Sequence, residues 1–172
     1  IAVDMDELIA DGLGELLVRY NHQQKTNYTP ADFAGKWLWQ ILPPGGQDLI
    51  EGYLQSADFF RNLPVIPDSQ EILRRINRRY EVFIATAAMA FPNSFGPKYH
   101  WLRRHFSFLS PHNFVFCGDK SILHADFLID DMPNNLANFK GEGILFTSPH
   151  NLGVTGYRRV DNWQDIARIF LA

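Results

Sequence analysis

Two carboxylates separated by a single residue follow the first apolar run of the chain. Asp4 and Asp6 flank Met5 directly after residues 1–3. Side chains two positions apart in an extended segment point to the same side, so both carboxylates can face one crevice. One can attack phosphorus to form an acyl-phosphate, while the other protonates the leaving oxygen and later activates water. Such a triplet also occurs as a helix cap or a solvated turn, so the chemical interpretation needs further residues.

A second acidic pair, Asp130 and Asp131, ends the apolar run at residues 127–129. Several carboxylates in one cleft repel each other unless a cation is present. Magnesium prefers oxygen ligands and bridges to phosphate groups. The alternative is that one of the two acids caps a helix beginning at Pro133, which would still leave one carboxylate for a metal. The pair therefore predicts a Mg²⁺ site.

Thr86 and Lys120 are the predicted phosphate ligands. Thr86 ends the apolar run EVFIAT, where its hydroxyl and the following backbone N–H groups could hold phosphate oxygens. Lys120 can neutralise both the phosphate and the nucleophile. Lys98 competes for this role, but Lys120 is favoured because it follows a strand end, whereas Lys98 lies at a predicted helix start. The alternatives are a structural threonine and a lysine that faces solvent.

Strands alternate with helices over most of the chain. Strands are predicted at residues 1–3, 81–86, 113–117, 127–129 and 143–146. Helices are predicted at residues 8–20, at 68–79 with Asp68 as the cap, at 98–106, from Pro133, and at 163–171. This alternation predicts an α/β fold, a Rossmann-like parallel sheet with helices on both faces.

Residues 21–67 differ from the rest, since short helical pieces are broken by Pro and Gly and no strand is evident. The sequence thus predicts a small helical cap inserted after the first strand. We assign residues 1–13 and 66–172 to the catalytic core and residues 14–65 to the cap. Ligands of open parallel sheets bind beyond the carboxyl ends of the strands, where Asp4, Thr86, Lys120 and the Asp130–Asp131 pair would converge.

The composition excludes several classes of partner. The net charge is -3 and no block of Lys and Arg occurs, which disfavours a nucleic-acid polymer. No apolar run reaches the roughly 18–20 residues of a membrane span. The single cysteine, Cys117, excludes an internal disulfide and suits a reducing compartment. Acidic residues among the first seven positions argue against a signal peptide, so we expect a cytoplasmic location.

The order of these motifs resembles that of the haloacid dehalogenase superfamily, in which D-x-D is followed by Thr or Ser, then Lys, then paired acids. The chain is more closely similar to the 5'(3')-deoxyribonucleotidase family. This resemblance covers nearly the whole chain except residues 21–53. It rests on DMDELIAD at 4–11, FFRNLPVIP at 59–67, FIATAAM at 83–89, GPKYHWL at 96–102, GDKSILHADFLIDD at 118–131 and LFTSPHN at 145–151.

The resemblance implies a role for each motif residue. Asp4 would be the nucleophile and Asp6 the acid/base. Magnesium would be held by Asp4, the backbone carbonyl of Asp6 and Asp131, with Asp130 supporting them. The phosphate would be held by Thr86, by the backbone N–H of Ala87 and by Lys120. Ala87 departs from the family pattern, because many relatives carry Ser there, and the substitution removes a hydroxyl contact.

The cap is where the resemblance is weakest. Phe33, Trp37 and Trp39 are its candidate contacts for a nucleobase, because a base can stack on aromatic rings. The resemblance also makes a homodimer plausible. Aromatic residues in such a segment are more often part of the core than ligand contacts, which is the alternative for these three.

The sequence therefore predicts a magnesium-dependent phosphatase that hydrolyses (deoxy)ribonucleoside monophosphates through an aspartyl-phosphate, as a 5'(3')-deoxyribonucleotidase would. One alternative is a related phosphatase for another small phosphomonoester, because the cap matches poorly. A second is a non-enzymatic phospho-acceptor switch domain, which also places acids, Thr and Lys at strand ends. Asp6 disfavours the switch domain, since a stable phospho-aspartate is better served without a nearby base.

Overall fold

A six-stranded parallel sheet forms the centre of the computed structural model, which describes residues 1–172. The strand order is β3-β2-β1-β4-β5-β6, and every neighbouring pair is parallel. The strands are β1 (Ala2–Val3), β2 (Phe83–Thr86), β3 (Phe114–Phe116), β4 (Phe127–Asp130), β5 (Glu142–Phe146) and β6 (Arg158–Val160). The predicted parallel α/β sheet is confirmed.

Helices cover both faces of the sheet. They are α1 (Gly12–Gln24), α2 (Leu38–Ile41), α3 (Gly46–Gln55), α4 (Ala57–Arg61), α5 (Ser69–Ile76), α6 (Phe95–His105), α7 (Pro133–Ala137) and α8 (Trp163–Phe170). Successive strand residues point to opposite faces. Val3 and Ile129 therefore join the larger apolar cluster, whereas Ala2 and Leu128 pack in a smaller one with Leu136 of α7.

The chain changes direction across the sheet at β1. After β1 the order runs outward through β2 to β3, and the chain then returns to place β4 on the other side of β1. A crevice forms at such a reversal point, beyond the carboxyl ends of the central strands. Asp4 directly follows β1, while Thr86 ends β2 and Asp130 ends β4. The topology thus brings three of the predicted site residues to one place.

The first helix begins at Gly12, so the predicted start at Leu8 is wrong. Residues 5–10 form a tight turn instead, in which the N–H groups of Ile9 and Ala10 both donate to the carbonyl of Met5 at 3.0 Å. The apolar residues of this turn are fully buried and only imitate helical spacing. The side chain of Asp11 then caps the helix by accepting from the N–H of Gly14 at 2.8 Å.

Two further details of local structure differ from what the sequence indicated. The strand β6 was not predicted, because Arg158-Arg159-Val160 is a short edge strand with little apolar pattern. Asp68 precedes α5 but does not cap it with its side chain, because its φ of 66° lies in the left-handed region. Its carboxylate instead accepts from Gln164 Nε2 at 2.9 Å.

Helices α1 to α4 lie between β1 and β2 in the chain, as expected for an inserted cap. The proposed boundary between residues 13 and 14 falls inside α1, and the division into core and cap stays a prediction. None of the helices combines the length and apolar character needed to cross a membrane. The cytoplasmic location and the homodimer also stay predictions.

Candidate active site

A cavity of about 340 Å³ lies at the carboxyl ends of the central strands. The core contributes its polar wall, which includes Asp4, Asp6, Lys120 and Asp131. The predicted cap contributes apolar and aromatic side chains from the opposite side: Phe33, Trp37, Leu38, Trp39, Ile50 and Leu54. The predicted acids and the predicted base contacts thus face one space, although they come from distant parts of the sequence.

Lys120 lies between two carboxylates. Its ammonium donates to Oδ1 of Asp4 and, at 2.5 Å, to Oδ2 of Asp130. The lysine is only 2% exposed. Burial alone would lower its pKa, but the charges of Asp4 and Asp130 outweigh burial and raise it. Lys120 is therefore a permanent cation beside the predicted nucleophile.

Three acids converge at the base of the cavity. Asp4, Asp130 and Asp131 are all buried, and each offers a carboxylate oxygen within 4.8 Å of the others. Burial, reinforced by repulsion from Asp130 and Asp6, raises the pKa of Asp4 to about 7, although Lys120 opposes the shift. Burial and the charges of Asp4 and Asp130 raise the pKa of Asp131 as well. Such a cluster carries more negative charge than one lysine can balance, which suits a cation site.

Asp130 is the least available of these acids to a metal. Its Oδ1 accepts from the N–H of Met132 at 2.8 Å and from Asn135 Nδ2 at 3.1 Å. Its Oδ2 accepts from Lys120 at 2.5 Å and from Asn135 at 3.0 Å. Both oxygens are thus occupied by hydrogen-bond donors, one of which is Lys120. This geometry agrees with the predicted supporting role of Asp130, which stays a prediction.

A second lysine, Lys98, lies beside the second predicted catalytic acid. Its ammonium donates to Asp6 Oδ2 at 2.5 Å, to Thr86 Oγ1 at 3.0 Å and to the carbonyl of Ala87 at 3.1 Å. Thr86 in turn donates to Asp6 Oδ2 at 3.4 Å. The structure thus places Lys120 beside Asp4 and Lys98 beside Asp6, and the preference for Lys120 as the phosphate ligand stays a prediction.

The three aromatic residues proposed as base contacts differ in what they expose. Trp37 stacks on Trp39 with ring centroids 4.8 Å apart and on His150 at 4.2 Å, both nearly parallel. Two rings so close to one indole must lie on its opposite faces, because side by side they would overlap. A base can therefore reach Trp37 only along its edge. Trp39 is 55% exposed, whereas Phe33 is buried and packs against Tyr28.

His150 lines the cavity but was not singled out in the sequence, where the histidines show no metal-ligand spacing. Its Nε2 lies 3.1 Å from the backbone carbonyl of Asp131. Burial lowers the pKa of His150, although the contact with this carbonyl opposes the shift. Because a carbonyl oxygen can only accept, the Nε2–H of His150 donates to the carbonyl of Asp131. The segment LFTSPHN contains this residue but gave no indication of its position.

Glu7 is a further acid of the cavity wall. Its Oε1 accepts from the N–H of Leu13 at 2.8 Å. Burial raises the pKa of Glu7 to about 8, although the Leu13 hydrogen bond opposes the shift. An acid whose pKa is higher in the folded state favours unfolding as it ionises, so stability is lost between pH 4.5 and pH 8.

We therefore expect Glu7→Gln to stabilise the protein at pH 8 without divalent cations. The amide keeps the acceptor for Leu13 and removes the charge, so the gain in the free energy of unfolding is at most about 4 kcal/mol at pH 8 and vanishes near pH 4.5. Urea unfolding at both pH values in the presence of chelator measures it. The exposed substitution Glu71→Gln is the control and should show no such pH dependence; a gain independent of pH would contradict the assignment.

The fold is similar to that of solved haloacid dehalogenase-like proteins. A haloacid dehalogenase-like protein of Agrobacterium tumefaciens has the same fold, with a TM-score of 0.60 and 14% identity over 99% of this chain and 96% of that chain. The family model described as 5' nucleotidase, deoxy (pyrimidine), cytosolic type C matches residues 1–172. The chain belongs to this family and is a phosphoric monoester hydrolase of the 5'-nucleotidase type.

Two relatives show how far the similarity extends. A Bacillus subtilis protein named 5'(3')-deoxyribonucleotidase is 36% identical, over 99% of this chain and 98% of the relative. A Staphylococcus epidermidis protein, provisionally given the same name, is 43% identical over 99% of this chain and 94% of the relative. The family resemblance drawn from the sequence motifs is thereby confirmed.

Proposed function

We propose that this protein is a magnesium-dependent 5'(3')-deoxyribonucleotidase, which hydrolyses deoxyribonucleoside monophosphates through an aspartyl-phosphate on Asp4. The observation that carries the proposal is the cavity in which Asp4, Asp6 and Lys120 face an aromatic wall, while Lys98 donates to Asp6. The polar end suits a phosphate and the aromatic end suits a nucleobase. The names of the two relatives support the same substrate class.

The acids at the polar end fit a Mg²⁺ ion. Asp4, Asp131 and the backbone carbonyl of Asp6 are the proposed ligands, with Asp130 holding Lys120 in place. The fit rests on buried carboxylates whose pKa values are raised, mainly by burial and by mutual repulsion, because Lys120 alone does not balance them. When bound, the ion would neutralise negative charge on the oxygens of the transferring phosphoryl group.

The first half-reaction transfers the phosphoryl group to Asp4. A carboxylate oxygen of Asp4 attacks phosphorus while the bond from phosphorus to the ester oxygen breaks. Asp6 gives its proton to that oxygen, so the nucleoside leaves as a neutral alcohol. Lys120 stays within hydrogen-bond reach of Asp4 and offsets charge on the phosphoryl oxygens.

The second half-reaction returns the enzyme to its starting state. Asp6, now a carboxylate, takes a proton from water as the water oxygen attacks phosphorus. The bond between phosphorus and Asp4 breaks, so inorganic phosphate leaves and both aspartates recover their original protonation. The contact of 2.5 Å between Lys98 and Asp6 Oδ2 would hold the side chain of Asp6 at the same cavity in both halves.

The nucleoside would occupy the aromatic half of the cavity. Trp39 offers exposed ring surface for stacking, while Phe33 and the edge of Trp37 border the same space. These contacts are to the base and not to the phosphate, so they select the substrate without changing the chemistry on Asp4. A related phosphatase for another small phosphomonoester would share the polar end and differ here.

Phosphate release from a panel of nucleoside monophosphates and sugar phosphates tests the proposal. We expect release that requires Mg²⁺, stops with chelator and is fastest for deoxyribonucleotides such as dUMP or dTMP. Activity confined to other phosphomonoesters would keep the chemistry of Asp4 and contradict the substrate. A long-lived phosphoprotein that releases no phosphate would favour the phospho-acceptor switch instead.

A further inference from the structure

Three aromatic rings form a continuous stack from the protein surface to the polar end of the cavity. Trp39 is the outer ring and Trp37 the middle ring, with planes 6° apart. His150 is the inner ring, inclined by 11° to Trp37. The tryptophans precede or lie within α2, a helix of four residues, whereas His150 belongs to a turn of the core after β5. The stack therefore joins two parts of the chain that the sheet does not connect.

The inner end of the stack is attached to Asp131. The Nε2 of His150 donates to the carbonyl of Asp131 at 3.1 Å, and Asn151 Nδ2 donates to the same oxygen at 2.8 Å. His150 is thus tied to the backbone of a proposed metal ligand, but its own ring does not enter the proposed chemistry. A shift of this ring would move the stack relative to Asp131.

The segment that carries the tryptophans is held by apolar packing and by its contacts with the turn that contains His150. Leu38 and Leu42 pack against the core cluster. Residues 34–36, 39 and 40 are exposed. One backbone hydrogen bond, from the N–H of Gly35 to the carbonyl of Pro149 at 2.7 Å, also joins this segment to the turn that holds His150. The hydrogen bond fixes the backbone at one point, while the stacked rings fix the direction in which Trp37 and Trp39 face. Ring stacking is therefore the contact that ties the orientation of the two tryptophan rings to this turn.

We propose that His150 is a positioning residue that holds the Trp37–Trp39 pair in register with Asp131, so that nucleobase and phosphate are bound at a fixed separation. This inference rests on the proposed nucleotidase function and adds a determinant of substrate specificity to it. The ring of His150 supports Trp37 by stacking, and its Nε2–H ties that support to the polar end. A phosphomonoester without a nucleoside does not require this fixed distance between the tryptophans and Asp131.

Three variants separate the two contacts of His150. His150→Phe keeps a flat ring for stacking and loses the hydrogen bond, whereas His150→Gln keeps a donor for the carbonyl of Asp131 and loses the ring. His150→Ala loses both. Each is compared with wild type on dUMP and on p-nitrophenyl phosphate, a phosphomonoester without a nucleoside. His112→Ala, an exposed histidine on another face, is the matched control.

We expect His150→Ala to lower kcat/KM for dUMP about tenfold, mainly through KM, because one stacking contact and one hydrogen bond are lost. The value for p-nitrophenyl phosphate should stay within about twofold, and the single-contact variants should fall between. The exciton coupling of the stacked tryptophans in circular dichroism should weaken in His150→Ala and return in His150→Phe.

The outcomes distinguish this inference from the proposed function. Equal losses on both substrates would overturn the inference, because His150 would then act on the catalytic centre itself. Unchanged kinetics in His150→Ala, or an unchanged exciton signal, would overturn it as well. Wild-type protein that hydrolyses p-nitrophenyl phosphate but no nucleotide would instead overturn the proposed function, and the inference with it.

Discussion

The Asp4→Asn variant is expected to lose at least about 10³-fold in phosphate release while keeping its fold. The amide has nearly the shape of the carboxylate but is not a nucleophile, so no acyl-phosphate can form. The substitution also removes one buried negative charge from a cluster in which burial and mutual repulsion raise the pKa of Asp4 to about 7. Lys120 retains Asp130 as an ionic partner, so the charge of its ammonium stays balanced.

Phosphate release with Mg²⁺ and thermal unfolding of the same samples measure the two parts of this prediction. The matched control is Asp119→Asn, which lies next to Lys120 in sequence but is exposed and accepts from the N–H of Ser121 at 3.0 Å. An asparagine can keep that hydrogen bond, so activity should equal that of wild type. Wild-type turnover in Asp4→Asn would rule out Asp4 as the nucleophile.

The convergence of the acids could be predicted from sequence because it depends only on strand direction. Asp4, Thr86 and Asp130 each follow or end a parallel strand, and parallel strands share one carboxyl edge. The apolar runs alone identify these strands, since their residues are buried on both faces. The position of each residue at the end of its apolar run was therefore enough to predict that these residues converge, without knowledge of the loops.

The position of Lys98 could not be predicted in this way, because it depends on how α6 packs against the rest of the chain. That packing is fixed partly by Trp101, whose Nε1 donates to the carbonyl of Leu63 at 2.8 Å. One indication was nevertheless present in the sequence. Lys98, Trp101 and Leu102 have i, i+3, i+4 spacing, so the lysine lies on the buried stripe of the helix. A charge on such a stripe needs a buried partner, here Asp6.

The aromatic wall shows the other limit of prediction. The sequence places Trp37 and Trp39 close together, but it does not reveal that His150 covers one face of Trp37. That contact forms only when the inserted segment folds back over the turn after β5. Similarly, the turn at residues 5–10 imitates a helix in its apolar spacing, and only its hydrogen bonds to Met5 show the difference. Contacts between distant segments leave no local pattern.

The Asp6→Asn variant should slow nucleotide hydrolysis by about 10²–10⁴-fold, because it lacks both the proton donor and the base. Asparagine can still accept from Lys98, which holds Asp6 Oδ2 at 2.5 Å, so the position of the side chain should be kept. The defect should depend on the leaving group. A nucleoside alkoxide needs a proton to leave, so the first half-reaction fails and no phosphorylated Asp4 accumulates.

With p-nitrophenyl phosphate the outcome should be the reverse. Its phenolate leaves without a proton, so Asp4 is still phosphorylated, but the attacking water then finds no base. Rapid mixing of Asp6→Asn with this substrate should release about one equivalent of p-nitrophenolate in a burst, followed by slow turnover. No burst is expected from wild type if the second step is fast.

If Asp6→Asn turned over p-nitrophenyl phosphate without a burst and at the wild-type rate, Asp6 would not be the base. A burst with nucleotide as well would show that the leaving oxygen obtains its proton elsewhere, and Lys98 is then the nearest donor to Asp6.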